Sequence, residues 1–211
     1  MGRIPQHLDE KLIECGKAVL LKHGIRAINI RSICAETKIN LGMFVYYFKS
    51  RSNFIKTILE SFIKDMEVAI LNESKDITDP LQKLKCVMTV SLKIGRQNHA
   101  TFEKIVEDID SSSEEMLRSL HQSIQSKYKG FWHNLIEDCK AQNYIDQNLE
   151  TEKITSVFVG GLLFYAKSLE SLSLSDEQYE QKVNEMMDFL LEKIAPPPTA
   201  IKNFGEAVLN S

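Results

Sequence analysis

The chain has 211 residues, of which 43% are hydrophobic and 26% are charged, a composition typical of a globular protein of one or two domains. The longest apolar run, Val157 to Ala166, is too short to span a bilayer, and Met1 to Gln6 contains no apolar signal-peptide core, so we expect a cytoplasmic protein without membrane contact. The four cysteines are scattered and no C-x-x-C occurs, so the sequence predicts no metal site, no cofactor and no disulfide framework.

The net charge of −3 is unevenly distributed along the chain. Residues 1–56 contain ten Lys and Arg against four Asp and Glu, a net charge of +6. The remaining residues contain 16 basic and 25 acidic side chains, a net charge of −9. A basic N-terminal part on an acidic body predicts contact with a polyanion at that part alone, although charge does not reject the alternative that these residues merely solvate short helices.

The N-terminal part begins with an amphipathic helix followed by a short one. An apolar stripe from Leu8 to Leu20 predicts the first helix, and Gly24 is expected to end it. Asn29 is a good N-cap for a short helix that reaches about Thr37.

A second short helix follows directly. Asn40 is expected to cap it, and it spans Leu41 to Tyr47. A break at Lys49 then precedes a long helix from Ser52, its predicted cap, to about Leu71. Two short helices in close succession need the first helix as a platform, so the pattern predicts a helix-turn-helix.

The helix from Leu41 to Tyr47 is predicted to have a core face and an outer face. Leu41, Phe44 and Phe48 share the core face by their spacing of three and four. The side chains of Met43, Tyr46 and Tyr47 then project elsewhere. A tyrosine ring can pack along a sugar edge or a thymine methyl while its hydroxyl donates to a phosphate.

Three neighbouring residues complete the predicted interface with DNA. Gly42 removes a side chain where the helix backbone would come closest to the duplex. Lys49 and Arg51 follow the helix and are predicted to contact phosphates.

Over about residues 8–56 the chain resembles the DNA-binding head of the TetR family of bacterial transcriptional regulators. Asn29 stands where the family usually has Thr, and Arg51 where it usually has Lys. Lys38 replaces a turn glycine, Met43 a small or hydroxyl residue, and Val45 an aromatic residue. The matching positions are Arg31, Ile33, Gly42, Phe44, Tyr46, Tyr47, Phe48, Ser50 and Phe54.

The resemblance implies an all-α chain of nine helices in two parts. Residues 1–52 would form the helix-turn-helix DNA-binding domain, and residues 53–211 a helical bundle for ligand binding and dimerisation. The predicted DNA-contacting residues are Asn29, Arg31, Asn40, Gly42, Met43, Tyr46, Tyr47, Lys49 and Arg51.

Helix signals also recur through the C-terminal part of the sequence. The predicted helices run from Asp79-Pro80 to Gln97, from His99 to Ile109, from a capping box at Ser112 and Glu115 to Gln142, from Asn148 or Thr151 to Leu172, and from a second box at Ser175 and Gln178 to Ile194. A short tail helix is predicted from Thr199 to Leu209.

Two of these helices are predicted to form a dimer interface. The stretch ITSVFVGGLLFYAKSL is apolar nearly all round and carries adjacent glycines, which cost stability in a helix unless close packing offsets them. We expect one side to face the body and the other a second subunit, although both helices can also be ordinary core. The predicted interface residues are Val157, Gly160, Gly161, Met187, Leu190, Leu191 and Ile194.

An aromatic cluster in the body is a candidate pocket for an apolar ligand. The stretch YKGFWHNLIEDC concentrates aromatic side chains, which suit such a pocket but equally suit a plain core. The candidate ligand-binding residues are Phe102, Tyr128, Phe131, Trp132, Phe158, Leu162 and Tyr165.

The sequence thus favours a ligand-responsive repressor, a homodimer that binds double-stranded operator DNA and is released by an unidentified small molecule. A dimer that binds DNA constitutively is the alternative. An enzyme or a helical adaptor is less favoured, because no catalytic motif occurs and the carboxylates of Glu107, Asp108 and Asp110 are interpreted as solvated surface.

Overall fold

The computed structural model describes residues 7–112 and 115–197, and within these ranges the chain forms nine α-helices and no strand. The predicted all-α fold is confirmed, while the tail helix predicted from Thr199 to Leu209 lies outside the described residues. The helices are α1 (Leu8–His23), α2 (Ile30–Thr37), α3 (Leu41–Phe48), α4 (Arg51–Ser74), α5 (Pro80–Gln97), α6 (His99–Asp110), α7 (Glu115–Ala141), α8 (Thr151–Leu169) and α9 (Asp176–Ile194).

Several predicted helix caps are present. The side chain of Asn29 accepts from the backbone N–H of Ser32, and that of Asn40 accepts from the backbone N–H of Met43. Ser175 forms a reciprocal capping box with Gln178. The cap predicted at Ser52 was wrong, because Ser50 accepts from the backbone N–H of Asn53 at 3.1 Å and α4 begins one residue after Ser50. The capping box predicted from Ser112 includes residues 113 and 114, which lie outside the described part of the chain.

The chain divides into two compact units. The first unit consists of residues up to Ala69 together with Gln97–Gln125, and the predicted DNA-binding domain, residues 1–52, falls inside it. Its core is built around α1 and the aromatic rings of Phe44, Phe48 and Phe54, whose centroids lie 4.8–5.3 Å apart. A Cβ at Gly16 of α1 would lie 2.7 Å from the ring of Phe54, so this glycine permits the close approach of α1 and α4.

The second unit consists of Ile70–Arg96 and the described residues from Ser126 onward. Its core contains apolar side chains of α5, α7, α8 and α9, with Trp132 and Phe158 the largest that are fully buried. In this unit α8 and α9 pack side by side. Among the described residues, no helix is both long enough and apolar enough to cross a bilayer, and no group of His, Cys, Asp or Glu side chains is arranged to hold a metal ion.

Candidate nucleic-acid interface

A tight turn joins α2 to α3 in the first unit. Lys38 adopts a left-handed conformation (φ 59°, ψ 33°), and its N–H donates to the carbonyl of Ala35. The next residue, Ile39, donates to the carbonyl of Cys34 at 3.0 Å and buries its side chain. Glycine adopts such a left-handed turn without strain, and here the turn is adopted by a lysine with an exposed side chain.

The short helix α3 has two distinct faces. Phe44 and Phe48 are buried in the core of the first unit, and Met43 and Tyr47 are half-buried against it. The remaining residues lie on a continuous exposed face: Leu41, Gly42, Val45 and Tyr46, with the three side chains 49%, 47% and 57% exposed respectively. At 100° per residue these four positions span an arc of roughly 140°.

The outer face therefore differs from the predicted one. Leu41 was expected in the core but is exposed, because side chains at the start of a helix point towards its N terminus and beyond the rings that cover the later turn. Met43 and Tyr47 were expected to project outward, yet both pack partly against the core. Tyr46 lies outward as predicted.

Gly42 has a second role in the geometry of α3. The amide oxygen of Asn40 caps the helix by accepting from the N–H of Met43 at 2.9 Å. A Cβ at Gly42 would lie 3.2 Å from that oxygen, a tight contact that would disturb the cap. The glycine thus preserves the cap at the start of the helix and leaves the backbone of α3 exposed at this position.

Exposed cations surround this face. Arg31 on α2 is exposed, as are Lys38 before α3 and Lys49 after it. The ammonium of Lys49 lies 5.4 Å from the centre of the Tyr46 ring, a favourable cation–π distance. Positive side chains therefore lie at both ends of an outer face that is mostly apolar.

Arg51 is engaged within the protein itself. Its guanidinium donates through Nε to the carbonyl of Ile28 and through a terminal nitrogen to the carbonyl of Ile25, both at 3.1 Å. These carbonyls belong to the loop between α1 and α2. Arg51 therefore holds this loop, and its predicted contact with phosphate stays a prediction.

Asp108 of α6 binds the same loop through the loop's backbone N–H groups. This role of Asp108 was not predicted from the sequence. One carboxylate oxygen accepts from the backbone N–H groups of Ile25 at 2.7 Å and Arg26 at 3.2 Å. The other lies 3.0 Å from Nε of Arg26. A Cβ at Gly24, whose φ is 80°, would come within 2.8 Å of this carboxylate, so the glycine admits both the turn and the contact.

Asp108 was interpreted as solvated surface, and this was wrong: the residue is buried. Its neighbours along the chain suggested exposure, since Glu107 and Asp110 are exposed. The helical spacing gave the better signal, because Asp108 falls on the same face as the buried residues Ile105 and Ile109.

In the second unit, the described residues leave an apolar stripe of α8 exposed. Val157, Gly160, Gly161 and Phe164 recur at intervals of three and four, and Val157 and Phe164 are 65% and 79% exposed. On the adjacent helix α9, Phe189 is 53% exposed. We call these five residues the α8–α9 face.

The predicted interface residues coincide with this face in part. Val157, Gly160 and Gly161 belong to it, and Leu190 and Ile194 are half-buried on α9. Met187 and Leu191 lie in the core of the second unit. Phe164 and Phe189 were missed. Phe164 follows Gly160 and Gly161 by four and three residues, so the helical spacing of the predicted residues indicated it, whereas Phe189 has no such spacing to the predicted residues of α9.

The candidate ligand residues separate into two groups. Phe102 packs against Phe62 in the core of the first unit, with ring centroids 5.8 Å apart. The other six belong to the second unit, where Trp132 is fully buried and its ring contacts those of Tyr128 and Phe131 at 5.7 and 5.6 Å. Within the described residues, the indole N–H of Trp132 has no hydrogen-bond partner. Phe158 and Leu162 are buried, and Tyr165 is half-buried.

Comparison with known proteins identifies the fold of the chain but finds no close relative by sequence. No protein-family model matches the sequence, and no curated protein matches it significantly. Solved structures do match. A TetR-family transcriptional regulator from Agrobacterium tumefaciens is 14% identical, with a TM-score of 0.67 over 92% of this chain and 100% of that chain.

Two further structures are similar to a comparable extent. The fatty acid degradation regulator FadR from Bacillus halodurans is 16% identical, with a TM-score of 0.67 over 90% of this chain and 97% of that chain. A protein from Saccharomonospora viridis, described as a transcriptional regulator and solved in complex with choline, is 14% identical, with a TM-score of 0.69 over 92% and 100%. The chain therefore has the fold of TetR-family regulators, and the resemblance found in its sequence is confirmed at the level of the fold.

Proposed function

We propose that this protein is a homodimeric transcriptional regulator that inserts α3 of each subunit into the major groove of an operator. The observation that carries the proposal is the outer face of α3: an exposed helix surface, open at Gly42 and bordered by Lys38 and Lys49, on a fold shared with transcriptional regulators. A cytoplasmic location goes with this proposal, since the protein must reach bacterial DNA.

Dimerisation is supported by the α8–α9 face. An exposed phenylalanine and valine flank two glycines on one stripe of α8, so a second helix could approach the backbone closely. Burying such a stripe against its own copy would remove the apolar surface from water and create a four-helix contact. A two-fold dimer also matches the two half-sites that helix-turn-helix proteins commonly bind.

Release by a small molecule is the further part of the proposal. The buried indole N–H of Trp132 lacks a partner among the described residues, and an apolar or aromatic ligand with a hydrogen-bond acceptor would supply one. Such a ligand lowers operator affinity only if it binds more tightly to the conformation that does not bind DNA. The regulator would then act as a repressor.

The first experiment is selection of bound fragments from the source genome by the purified full-length chain, followed by measurement of affinity for the enriched duplex. Tyr46→Ala and Gly42→Glu should abolish the preference for that duplex over random DNA, because both alter the outer face of α3. Gly130→Glu is the matched control, as it introduces the same side chain at an exposed glycine of α7 with open space around it. Failure to enrich any fragment would contradict the proposed function.

The second experiment uses Trp132, the one tryptophan of the chain, as a reporter for ligands. A ligand in the second unit should change its emission and lower operator affinity about 5–150-fold. Phe158→Ala should change affinity for the ligand while the unliganded protein still binds its operator. If a broad set of apolar and aromatic compounds changes neither signal, the protein is a constitutive DNA-binding dimer.

A further inference from the structure

The outer face of α3 has an unusual composition for a surface that reads DNA. Of its four residues, Leu41 and Val45 are apolar and Gly42 has no side chain, so Tyr46 carries the one polar side-chain group. Leu41 and Val45 are four residues apart and therefore adjacent on the helix surface. Together they form an apolar ridge along one edge of the outer face.

Hydrogen-bond readout of bases requires groups that this ridge lacks. Guanine is commonly read by Arg or Lys and adenine by Asn or Gln, whereas the apolar feature of the major groove is the 5-methyl group of thymine. Leucine and valine side chains match that methyl group in chemistry. Contact between these side chains and the methyl group removes apolar surface from water, which favours binding. A polar base edge in the same place would lose its hydration without gaining a hydrogen bond, which disfavours binding.

We infer that Leu41 and Val45 determine sequence specificity by packing against thymine methyl groups in each half-site. The inference rests on the proposed function and adds the kind of sequence that α3 selects: half-sites with thymines at the positions beneath the ridge. Lys38 and Lys49, exposed at the two ends of α3, are placed to contact the phosphates on either side of the groove.

The neighbouring residues support this assignment. Because Gly42 has no side chain, the helix backbone can come close enough for a short side chain such as valine to reach the base edges. The buried rings of Phe44 and Phe48 fix the opposite face of α3 in the core, so the orientation of the ridge is held rigidly. A ridge of fixed orientation can discriminate between positions of a methyl group.

Replacement of thymine by deoxyuridine tests the inference directly, since it removes the methyl group and preserves base pairing. With the wild-type chain and its genome-selected duplex, uracil beneath the ridge should weaken binding about fourfold for each methyl group buried. One such thymine in each half-site gives about fifteenfold. Uracil outside the protected region should leave affinity unchanged.

Protein variants then assign the methyl groups to residues. Val45→Ala and Leu41→Ala should each weaken binding to the thymine duplex and show a reduced penalty for uracil at one position, so that the two changes are not additive. Val106→Ala is the matched control, because Val106 is an exposed valine on α6 of the same unit. It should retain the full discrimination between thymine and uracil.

The possible results separate the inference from the proposed function. Enrichment of a fragment that the wild-type chain binds equally well with thymine or uracil at every position overturns the inference and leaves the regulator intact. Absence of any enriched fragment overturns the regulator itself. The comparison of duplexes needs no variant, so a variant that fails to fold does not affect it.

Discussion

At the scale of single residues, side chains bind both the backbone N–H groups and the backbone carbonyl groups of the loop between α1 and α2. The carboxylate of Asp108 accepts from the N–H groups of Ile25 and Arg26, while Arg51 donates to the carbonyls of Ile25 and Ile28. The loop leads directly into α2. Its conformation therefore contributes to the orientation of the helix-turn-helix, and Asp108 and Arg51 are positioning residues for the proposed DNA interface.

Replacing Asp108 by alanine should destabilise the protein. The change leaves the buried N–H of Ile25 without an acceptor, which costs about 1–3 kcal/mol, and it removes a part-buried hydrogen bond from the N–H of Arg26. Asp110→Ala, on an exposed carboxylate of the same helix, should change stability by less than about 0.5 kcal/mol. Urea unfolding of both variants is the measurement, and equal losses would show that the contacts of Asp108 contribute nothing special.

Arg51 and Lys49 should respond differently to alanine substitution. Arg51→Ala should lower the free energy of unfolding, because two loop carbonyls lose a donor, and Arg51→Lys should restore little since lysine lacks the planar fork. Lys49→Ala should spare stability and lower the salt slope of DNA binding by about one. An unchanged salt slope for Lys49→Ala would remove Lys49 from the phosphate contacts.

The Cys139 thiol is predicted to be unreactive in the folded protein. Burial, aided by the nearby carboxylates of Asp138 and Asp79, raises the pKa of Cys139 to about 12. At pH 8 the thiolate is then about one part in ten thousand. Alkylation by iodoacetamide, followed by mass spectrometry, should modify Cys139 only when urea is added, and modification at equal rates in both conditions would contradict its burial.

The same pKa gives a sign for the dependence of stability on pH. Because the folded value lies above the ordinary 9.0, the folded state retains this proton where the unfolded state has lost it. The contribution of Cys139 to stability is therefore fully present below pH 9 and is lost as the pH rises towards 12.

At the scale of helices, the surface of α8 beside Gly160 and Gly161 has space for a side chain. Among residues 7–112 and 115–197, a Cβ at Gly160 would meet no atom within 4 Å, and one at Gly161 would lie 3.9 Å from Leu190, an ordinary contact. Packing among the described residues therefore does not require these glycines. A second subunit approaching the stripe between Val157 and Phe164 would explain them, since glycine permits close contact between helices.

Gly160→Leu should abolish the dimer without unfolding the subunit. Leucine fits the chain itself, and it favours a helix by nearly 1 kcal/mol relative to glycine. Gly130 is also an exposed helical glycine with space for a side chain. Gly130→Leu should therefore gain the same helix propensity and leave the dimer intact. Sedimentation at micromolar concentration distinguishes them, and a wild-type chain that sediments as a monomer would remove the argument for this face.

The sequence predicted where the helices begin and end better than it predicted which of their side chains are exposed. The caps at Asn29 and Asn40 and the stop at Gly24 depend on local backbone geometry, so residue type and spacing predicted α1, α2 and α3 closely. The exposure of Leu41 and the burial of Asp108 depend on which distant side chains cover each position. For Leu41 no local signal indicated its exposure, whereas the helical spacing of Asp108 with Ile105 and Ile109 did indicate its burial.

At the scale of the whole molecule, charge and exposed surface assign different tasks to the two parts of the sequence. The net charge of +6 in residues 1–56 lies in the first unit, which carries the outer face of α3. The exposed apolar stripe of α8 belongs to the second unit. In the proposed dimeric regulator, the first unit would contact the polyanion and the second unit would form the dimer interface.

Hydroxyl-radical footprinting of the genome-selected duplex bound by the wild-type chain most directly tests whether paired α3 helices read the DNA. Two protected half-sites should appear on one face of the DNA, separated by about one helical turn, 34–36 Å, or a multiple of it. Both should disappear together with Tyr46→Ala at the same protein concentration. Uniform protection along the duplex, or a footprint that Tyr46→Ala leaves unchanged, would contradict the proposal that paired α3 helices read the DNA.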